Sequence, residues 1–316
     1  MPRSFKPIDL SQLRTYPLSE RKSKVSSDDF AKTWVKGSCI NDFLDNLPNI
    51  LAGGHINAVI SSIVSAFEKK RTIVFAMGAH VIKTGLNPII IDLMERGVVT
   101  AVAMNGACII HDLEVAMTGK TSEDVAASIG NGSFGMALET CSFLCRAIKK
   151  AGEKSIGLGA AVGQSINENK LPLMDKSILA AGSRLGIPVT VHVAVGTDII
   201  HMHPEFDPKE TGGATQRDFR TFASIIATIE GGVYMNIGSA VMLPEVFLKA
   251  VTLVRNLGHN LENFTSVNMD FIRHYRPMTN VVNRPTAKGG QGFNLIGHHE
   301  IMLPLIAAGV IEKIAG

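Results

Sequence analysis

"RTIVFAMGAHVIKTGLNPIIIDLMERGVV", residues Arg71 to Val99, decides the fold. Its first run, Ile73-Val74-Phe75-Ala76, is apolar without a break and rich in branched residues, the pattern of a strand buried on both faces. The run ends in Gly78-Ala79-His80, with Lys83 and Thr84 just beyond, and gives way to helical periodicity. A histidine and a lysine thus stand where a buried strand becomes a helix. In an open parallel sheet, that carboxyl end of the strand is where ligands bind.

The same alternation continues outward. Apolar runs recur at 98–103, 188–195, 232–237 and 264–269, with a weaker one at 154–161, and helical patterns separate them. Residues 41–69 also read as helical. Strands parted by helices need parallel crossovers, so the sequence predicts an α/β fold with a doubly wound, mostly parallel sheet. Residues 1–30 are polar and carry Pro2, Pro7 and Pro17, which predicts an extended arm. No repeat, low-complexity tract or linker interrupts the rest, so 31–316 reads as one domain.

Composition narrows the function. With 46% apolar and 19% charged residues the chain of 316 is globular, and its net charge of +3 is too small to imply a nucleic-acid partner. The densest basic stretch, Arg21-Lys22-Ser23-Lys24, reads as a solvated segment. Cys39, Cys108, Cys141 and Cys145 contain no CxxC, which argues against a disulfide framework or structural zinc. No apolar signal core and no run of membrane-spanning length is present, so the expectation is a soluble cytoplasmic protein without a membrane partner.

The expected strand ends are Gly78-Ala79-His80, Asn105-Gly106-Ala107, Gly196-Thr197-Asp198, Gly238-Ser239-Ala240 and Asn268-Met269-Asp270. Small residues let a ligand approach the backbone, and helix N-termini offer unpaired N–H groups to phosphate. Together they favour a nucleotide-sized ligand. Gly130-Asn131-Gly132-Ser133-Phe134-Gly135 matches Gly-x-Gly-x-x-Gly, but no strand precedes it, so it reads as a flexible entry to a helix at 135–150.

In this order the strand ends resemble those of the deoxyhypusine synthase family, whose fold is a Rossmann-like NAD-binding fold shared with sirtuins. The resemblance runs from about residue 70 to the C-terminus. The family's Ser-Asn-Leu-Ile-Ser-Ser-Gly turn is similar to Ala79 to Gly85, and its Thr-Ala-Gly-Gly-Val-Glu-Glu-Asp stretch to Asn105 to Asp112. Its Gly-Asp-Met-Ile-Phe-Phe-His segment resembles Thr197 to His203, and its glycine-rich strand end resembles Gly238-Ser239-Ala240. Its Ile-Asn-Thr-Ala resembles Val267 to Asp270, and its Ala-Asp-Ala-Ser-Leu-Val-Phe-Pro resembles Gly297 to Pro304.

The resemblance implies NAD as cofactor, bound by Gly78, Ala79, His80, Lys83, Thr84, Asn105, Gly106, Ala107, His111, Asp112, Thr197, Gly238, Ser239, Asn268, Met269, Asp270 and His298. It also implies a polyamine or other small amine substrate held at Asp198, with His203 and Glu245 beside it, and a homotetramer. Lys83 would stand as a point charge near a phosphate. Glu114 reads as a structural residue at a helix start.

The family's catalytic lysine follows Ser-Trp-Gly, whereas the corresponding segment here, Asn283 to Gly292, has no tryptophan. Its nearest lysine is Lys288, out of register, and the chain's single tryptophan is Trp34. Lys288 as a displaced catalytic residue, with His201 relaying protons, is one expectation. The other is direct transfer of an aminoalkyl (aminobutyl) group to a small amine, without a protein lysine as acceptor.

Two alternatives remain: a metal-dependent hydrolase, or a non-catalytic NAD-binding protein on the same fold. His201-Met202-His203 with Glu205 and Asp207, joined by His298-His299-Glu300, has donors that suit Zn²⁺ or Fe²⁺. Ten histidines readily produce one such pair by chance, so no metal is expected. The preferred reading of Asp198, His201, Glu205 and Asp207 is an acidic pocket for a cationic amine.

Overall fold

The computed structural model describes residues 3–314. Its centre is one six-stranded sheet with every neighbouring pair parallel. The strands are β1 (Ile73–Met77), β2 (Ala101–Asn105), β3 (Val189–His192), β4 (Val233–Ile237), β5 (Thr265–Asp270) and β6 (Gln291–Ile296). Their order, β3-β2-β1-β4-β5-β6, is the Rossmann order, with the reversal of winding between β1 and β4.

Before β1 come α1 (Ile40–Asp45) and α2 (Leu51–Glu68); between β1 and β2 lie the short α3 (His80–Lys83) and α4 (Asn87–Glu95). The long β2–β3 connection holds α5 (Gly106–Thr118), α6 (Val125–Ser128), α7 (Leu138–Glu153), α8 (Leu158–Glu168) and α9 (Ile178–Leu185). α10 (Pro208–Ile226) and α11 (Met242–Asn256) make the next two crossovers. α12 (Tyr275–Pro277) runs into a π-helical turn, Met278–Asn283, before β6, and α13 (His299–Lys313) closes the fold.

Side-chain alternation along the strands sends each residue to one of two cores. Phe75, Met77, Val102, Met104, Met235 and Val267 pack against α2, α5, α8 and α13. Val74, Ala76, Ala101, Ala103 and Tyr234 face Phe222 of α10 and Phe247 of α11. Tyr234 and Phe247 stack in contact, with centroids 3.6 Å apart and planes 4° from parallel. Helices therefore cover both faces, as the buried strands demand.

Two sequence expectations need correction. The run at 154–161 is no strand, because Leu158, Ala161 and Val162 recur at helical spacing and open α8. Its start is held by Asp218 of α10, which accepts the N–H groups of Gly159 at 3.0 Å and Val191 at 2.9 Å. The second correction is β6, which the sequence does not announce. It is half polar and lies at the sheet edge, where no second strand selects for apolar residues. Gly292 is needed there, since a Cβ would collide with the Val282 carbonyl.

Three asparagines share one register across β4, β5 and β6. Asn236 Nδ2 donates to Asn268 Oδ1 at 2.8 Å, and Asn268 Nδ2 donates to Asn294 Oδ1 at 2.8 Å. Asn236 Nδ2 also reaches the Ser239 carbonyl at 2.9 Å, which ties the ladder to the loop after β4.

From residue 3 to α1 the described segment is exposed almost throughout, its only regular structure there being 3₁₀ turns at Leu18–Glu20 and Ser27–Asp29. Phe5, Ile8, Leu10, Leu13, Tyr16 and Leu18 stand in solvent there. Among the described residues no helix is long and apolar enough to cross a membrane.

Candidate functional site

Where the winding reverses, the β1 and β4 ends touch backbone to backbone. Gly78 N–H donates to the Ile237 carbonyl and Gly238 N–H to the Met269 carbonyl, each at 3.0 Å. A Cβ on Gly78 would collide with the Gly238 carbonyl. Gly238 has φ +65°, and a Cβ there would lie 2.7 Å from His299 Cε1. Only glycine fits either position without strain.

His299 lies fully buried at the start of α13. Its Nε2 is 3.4 Å from the Met269 carbonyl and 3.8 Å from Asp270 Oδ1, while Nδ1 has no partner. Burial pushes its pKa down, against the opposing pull of Asp270. His80 is exposed beside it, its ring centroid 5.4 Å from that of His299 and 5.7 Å from Phe271. Asp270 carries His274 at 3.9 Å and accepts the Phe271 N–H at 2.8 Å. The sequence reading missed His299, His274 and Phe271 as parts of this cluster. The adjacent His298-His299 pair after an apolar strand was the available signal for one of them.

A second feature opens at the β2 end. Asn105 caps α5, its Oδ1 accepting Cys108 N–H at 3.3 Å. At the next residue a Cβ on Gly106 would collide with the Asp198 carboxylate, so glycine lets that acid settle over the helix start. Burial pushes the Asp198 carboxyl up to about 6, against a hydrogen bond from Thr197. Beside it is a cavity of about 190 Å³ whose wall includes Lys83, Ala107, His111, Glu114, Glu123 and Asp198. That is below the ~300–1,000 Å³ of pockets for drug-sized ligands, and suits a small chain-like molecule.

The cavity wall is wired internally. His111 Nδ1 lies 2.7 Å from Thr121 Oγ1, which donates to Glu114 Oε2 at 2.6 Å, so His111 donates in turn. Burial first, then Lys83, lowers the His111 pKa to about 4, which leaves the imidazole neutral. Glu114 accepts a further hydrogen bond from Thr140 at 3.2 Å. Helix geometry places His111 and Glu114 three residues apart on one face of α5.

Asp112 points the other way and is a correction to the cofactor set. It is fully buried beneath the site and caps α9. Its carboxylate takes Ser177 Oγ–H at 2.5 Å, Ile178 N–H at 2.9 Å, Leu179 N–H at 3.1 Å and Asn87 Nδ2 at 3.0 Å. Burial outweighs these bonds and raises its pKa to about 6.

Other residues are also placed away from the cleft. Lys288 is exposed just before β6, beside the start of β5, at the amino-terminal edge of the sheet. A six-residue strand separates that edge from the site, roughly 20 Å at ~3.3 Å per residue. Glu245, in α11 on the other face, is engaged by Lys249, by Asn280 at 2.8 Å and by Arg276 at 3.7 Å. His203 accepts the Glu205 N–H at 3.3 Å in the loop before α10 and does not line the cavity. The Met269 side chain belongs to the core, and Ser239 Oγ accepts the Leu243 N–H of α11 at 3.2 Å. Thr84 Oγ1 donates to the His80 and Val81 carbonyls. Gly78, Ala79, His80, Asn268, Asp270 and His298 gather at the β1–β4–β5–β6 ends; Lys83, Gly106, Ala107, His111, Thr197 and Asp198 gather at the cavity.

The Gly-x-Gly-x-x-Gly match forms an exposed 3₁₀ turn, Ile129–Asn131, with no strand before it. Among the described residues no group of three His, Cys, Asp or Glu side chains is arranged to hold a metal ion.

Fold and site together define an all-parallel α/β protein with Rossmann strand order and glycine-lined strand ends at the switch point. No family model matches the chain, and no curated protein sequence does. Its fold is similar to that of a candidate deoxyhypusine synthase from Entamoeba histolytica, at TM-score 0.54 and 14% identity, over 90% of this chain and 96% of that one. It is also similar to ArgZ, an arginine dihydrolase from the cyanobacterial ornithine–ammonia cycle, at TM-score 0.51 and 15% identity, over 81% of this chain. A third likeness is to AgrE, solved in ternary complex with ornithine and NAD+, at TM-score 0.53, 16% identity and 81% of this chain. The chain spans about a third of these last two proteins, 31% of ArgZ and 32% of AgrE. At such identities the likeness establishes a shared fold.

Proposed function

We propose that the chain is an NAD-dependent enzyme that transfers an aminoalkyl group from a polyamine to a small amine. The observation that carries this reading is the adjacency of two features: a crevice floored by Gly78 and Gly238, and an acid-walled cavity at Asp198. The crevice has the switch-point position of dinucleotide sites. The two glycines let the β1 and β4 ends and the His299 ring pack closely at that position. Bound NAD would supply a hydride acceptor for an amine-bearing carbon. The family resemblance and the NAD+ complex of AgrE support the choice of cofactor.

The chain's own residues would do the rest. Ionised Asp198 holds a substrate ammonium, and Glu114 and Glu123 give the cavity a negative wall for the far end of a polyamine. Neutral His111 and the apolar side chains of Ile110, Val125 and Phe134 limit water around the carbon between them. Lys83 is the lysine at this wall, whereas Lys288 lies across the sheet. The reading includes a homotetramer, supported by the exposed apolar side chains of the N-terminal segment.

The test is incubation of the purified protein with NAD and a panel of polyamines, following NADH and amine products by mass spectrometry. NAD-dependent product is the expected result. No NADH and no product with any polyamine would overturn the reading.

A further inference from the structure

His111 and Glu114 stand one turn apart on α5, and Thr121 lies on the loop that follows the helix. The three side chains form one line of hydrogen bonds. Thr121 Oγ1 has a single proton and gives it to Glu114 Oε2 at 2.6 Å, so at 2.7 Å it accepts from His111 Nδ1. That assigns the proton of the neutral ring to Nδ1. Thr140 of α7 holds the other Glu114 oxygen at 3.2 Å. Glu114, expected from sequence to be structural, is the end of this line.

Nε2 is left as an unprotonated acceptor. It has no hydrogen-bond partner among the described residues, and it is not one of the atoms sealed from solvent. His111 lines the cavity of about 190 Å³ together with Asp198, Lys83 and Glu123, whereas Thr121 stands behind that wall. Burial, then the charge of Lys83, holds the imidazole pKa at about 4, so the ring does not store a second proton. A proton taken at Nε2 displaces the one on Nδ1, and the only group bonded there is the Thr121 hydroxyl.

We propose that His111 is a catalytic residue: Nε2 takes a proton from the substrate nitrogen while Thr121 passes the Nδ1 proton's equivalent to Glu114. The inference rests on the amine-transfer reading and adds the group that makes the amine reactive. An N–H bond of the substrate ammonium breaks, and its electron pair stays on nitrogen. A new N–H bond forms at Nε2, the Nδ1 proton passes to Thr121 Oγ1, and the hydroxyl proton passes to Glu114 Oε2. One proton has then moved from substrate to carboxylate, and the ring remains neutral with its tautomer reversed. An ammonium has no lone pair, whereas the neutral amine can form a C=N bond as hydride leaves its carbon.

The test joins the tautomer to the rate. Heteronuclear NMR of the histidine rings in the unaltered chain, without ligand, should show His111 protonated at Nδ1 alone. Thr121→Val should lose that preference. Single turnovers use NAD with putrescine, spermidine or spermine. There His111→Ala should form NADH about 100-fold more slowly, with amine affinity within about two-fold, and added imidazole should restore part of the rate. Thr121→Val should slow the step about ten-fold, and Thr121→Ser, which keeps the hydroxyl, should recover most of it. A ring protonated at Nε2 overturns the relay, and so does equal slowing by Thr121→Val and Thr121→Ser. An NADH rate unchanged in both His111→Ala and Thr121→Val overturns it too and leaves the amine-transfer reading standing. No NADH from the unaltered chain with any of the three amines overturns that reading and the step with it.

Discussion

His201 Nε2 and Asp198 Oδ2 face each other at 4.0 Å, each buried and each without a hydrogen-bond partner. The other ring nitrogen, Nδ1, accepts the N–H groups of Gly196 at 3.0 Å and Asp198 at 3.2 Å. Those two donors assign the proton of the neutral ring to Nε2, so His201 presents a donor toward the carboxylate. The sequence expectation for His201 was a proton relay. At 4.0 Å the two atoms are too far apart for a hydrogen bond and too close to admit an atom between them.

Asp198 sets a pH dependence. Its carboxyl is raised to about 6, so the folded state binds the proton more tightly than the unfolded chain. Its ionisation therefore costs stability, which falls as pH rises from about 4 to about 6 and is flat above. Asp198→Asn should gain roughly 2–3 kcal/mol over the unaltered chain at pH 7, and nothing near pH 4. The same change should abolish amine binding, which in the unaltered chain strengthens as pH rises through 6. Urea denaturation at both pH values and amine titrations check the pair of effects; equal stability differences at both would refute the assignment.

Lys288→Ala should leave turnover within two-fold (roughly 0.4 kcal/mol or less), because the side chain is exposed at the far edge of the sheet. Lys83→Met, which removes a charge from the cavity wall, should lower turnover at least ten-fold (about 1.4 kcal/mol). Steady-state kinetics decides between them, and the reverse pattern would restore the sequence-based role of Lys288.

Gly78→Ala should cost about 1–3 kcal/mol of stability, the usual range for overpacking, because its Cβ meets the Gly238 carbonyl. NAD binding should be lost with it. An unchanged melting temperature and unchanged NAD heat would mean that the two strand ends separate easily.

Asp112 offers a contrast. Asp112→Ala strands Ser177, two backbone N–H groups of α9 and Asn87 without their acceptor. A loss of about 2–4 kcal/mol is expected, with NAD affinity of the folded fraction unchanged. A selective loss of NAD affinity at full stability would return Asp112 to the cofactor set.

The N-terminal segment should report on assembly. Light scattering is expected to give a tetramer mass, and deletion of residues 1–36 a smaller species, since this segment exposes Phe5, Ile8, Leu10 and Leu13. A monomer mass for the full chain at micromolar concentration would sink the tetramer.

Five of the six strands were legible as apolar runs because strands buried on both faces leave an unbroken signal. The β2 run at 98–103 is offset from Ala101–Asn105 since Val98 and Val99 are buried in the approach to the strand. β6 was invisible because its edge position and its place in the asparagine ladder both call for polar residues. The positions of Gly78 and Gly238 at the strand ends were legible from the small residues there. The directions of side chains on α5 were not, since telling Asp112 from His111 requires knowing which helix face meets α9. Lys288 was misplaced for a related reason: without β6, nothing in the sequence says on which side of the sheet its loop falls.

The amide ladder of Asn236, Asn268 and Asn294 bears on how the chain finds its alignment. Parallel strands can pair in shifted alignments, and β6 alone offers little apolar patterning to choose among them. A slip of β6 by one residue would turn Asn294 toward the face of Phe293 and Leu295 and leave Asn268 Nδ2 buried without its acceptor. Each group so stranded costs about 1–3 kcal/mol. The three amides thus act as a keyed coupling during folding, accepting the last strand in one alignment and rejecting its neighbours.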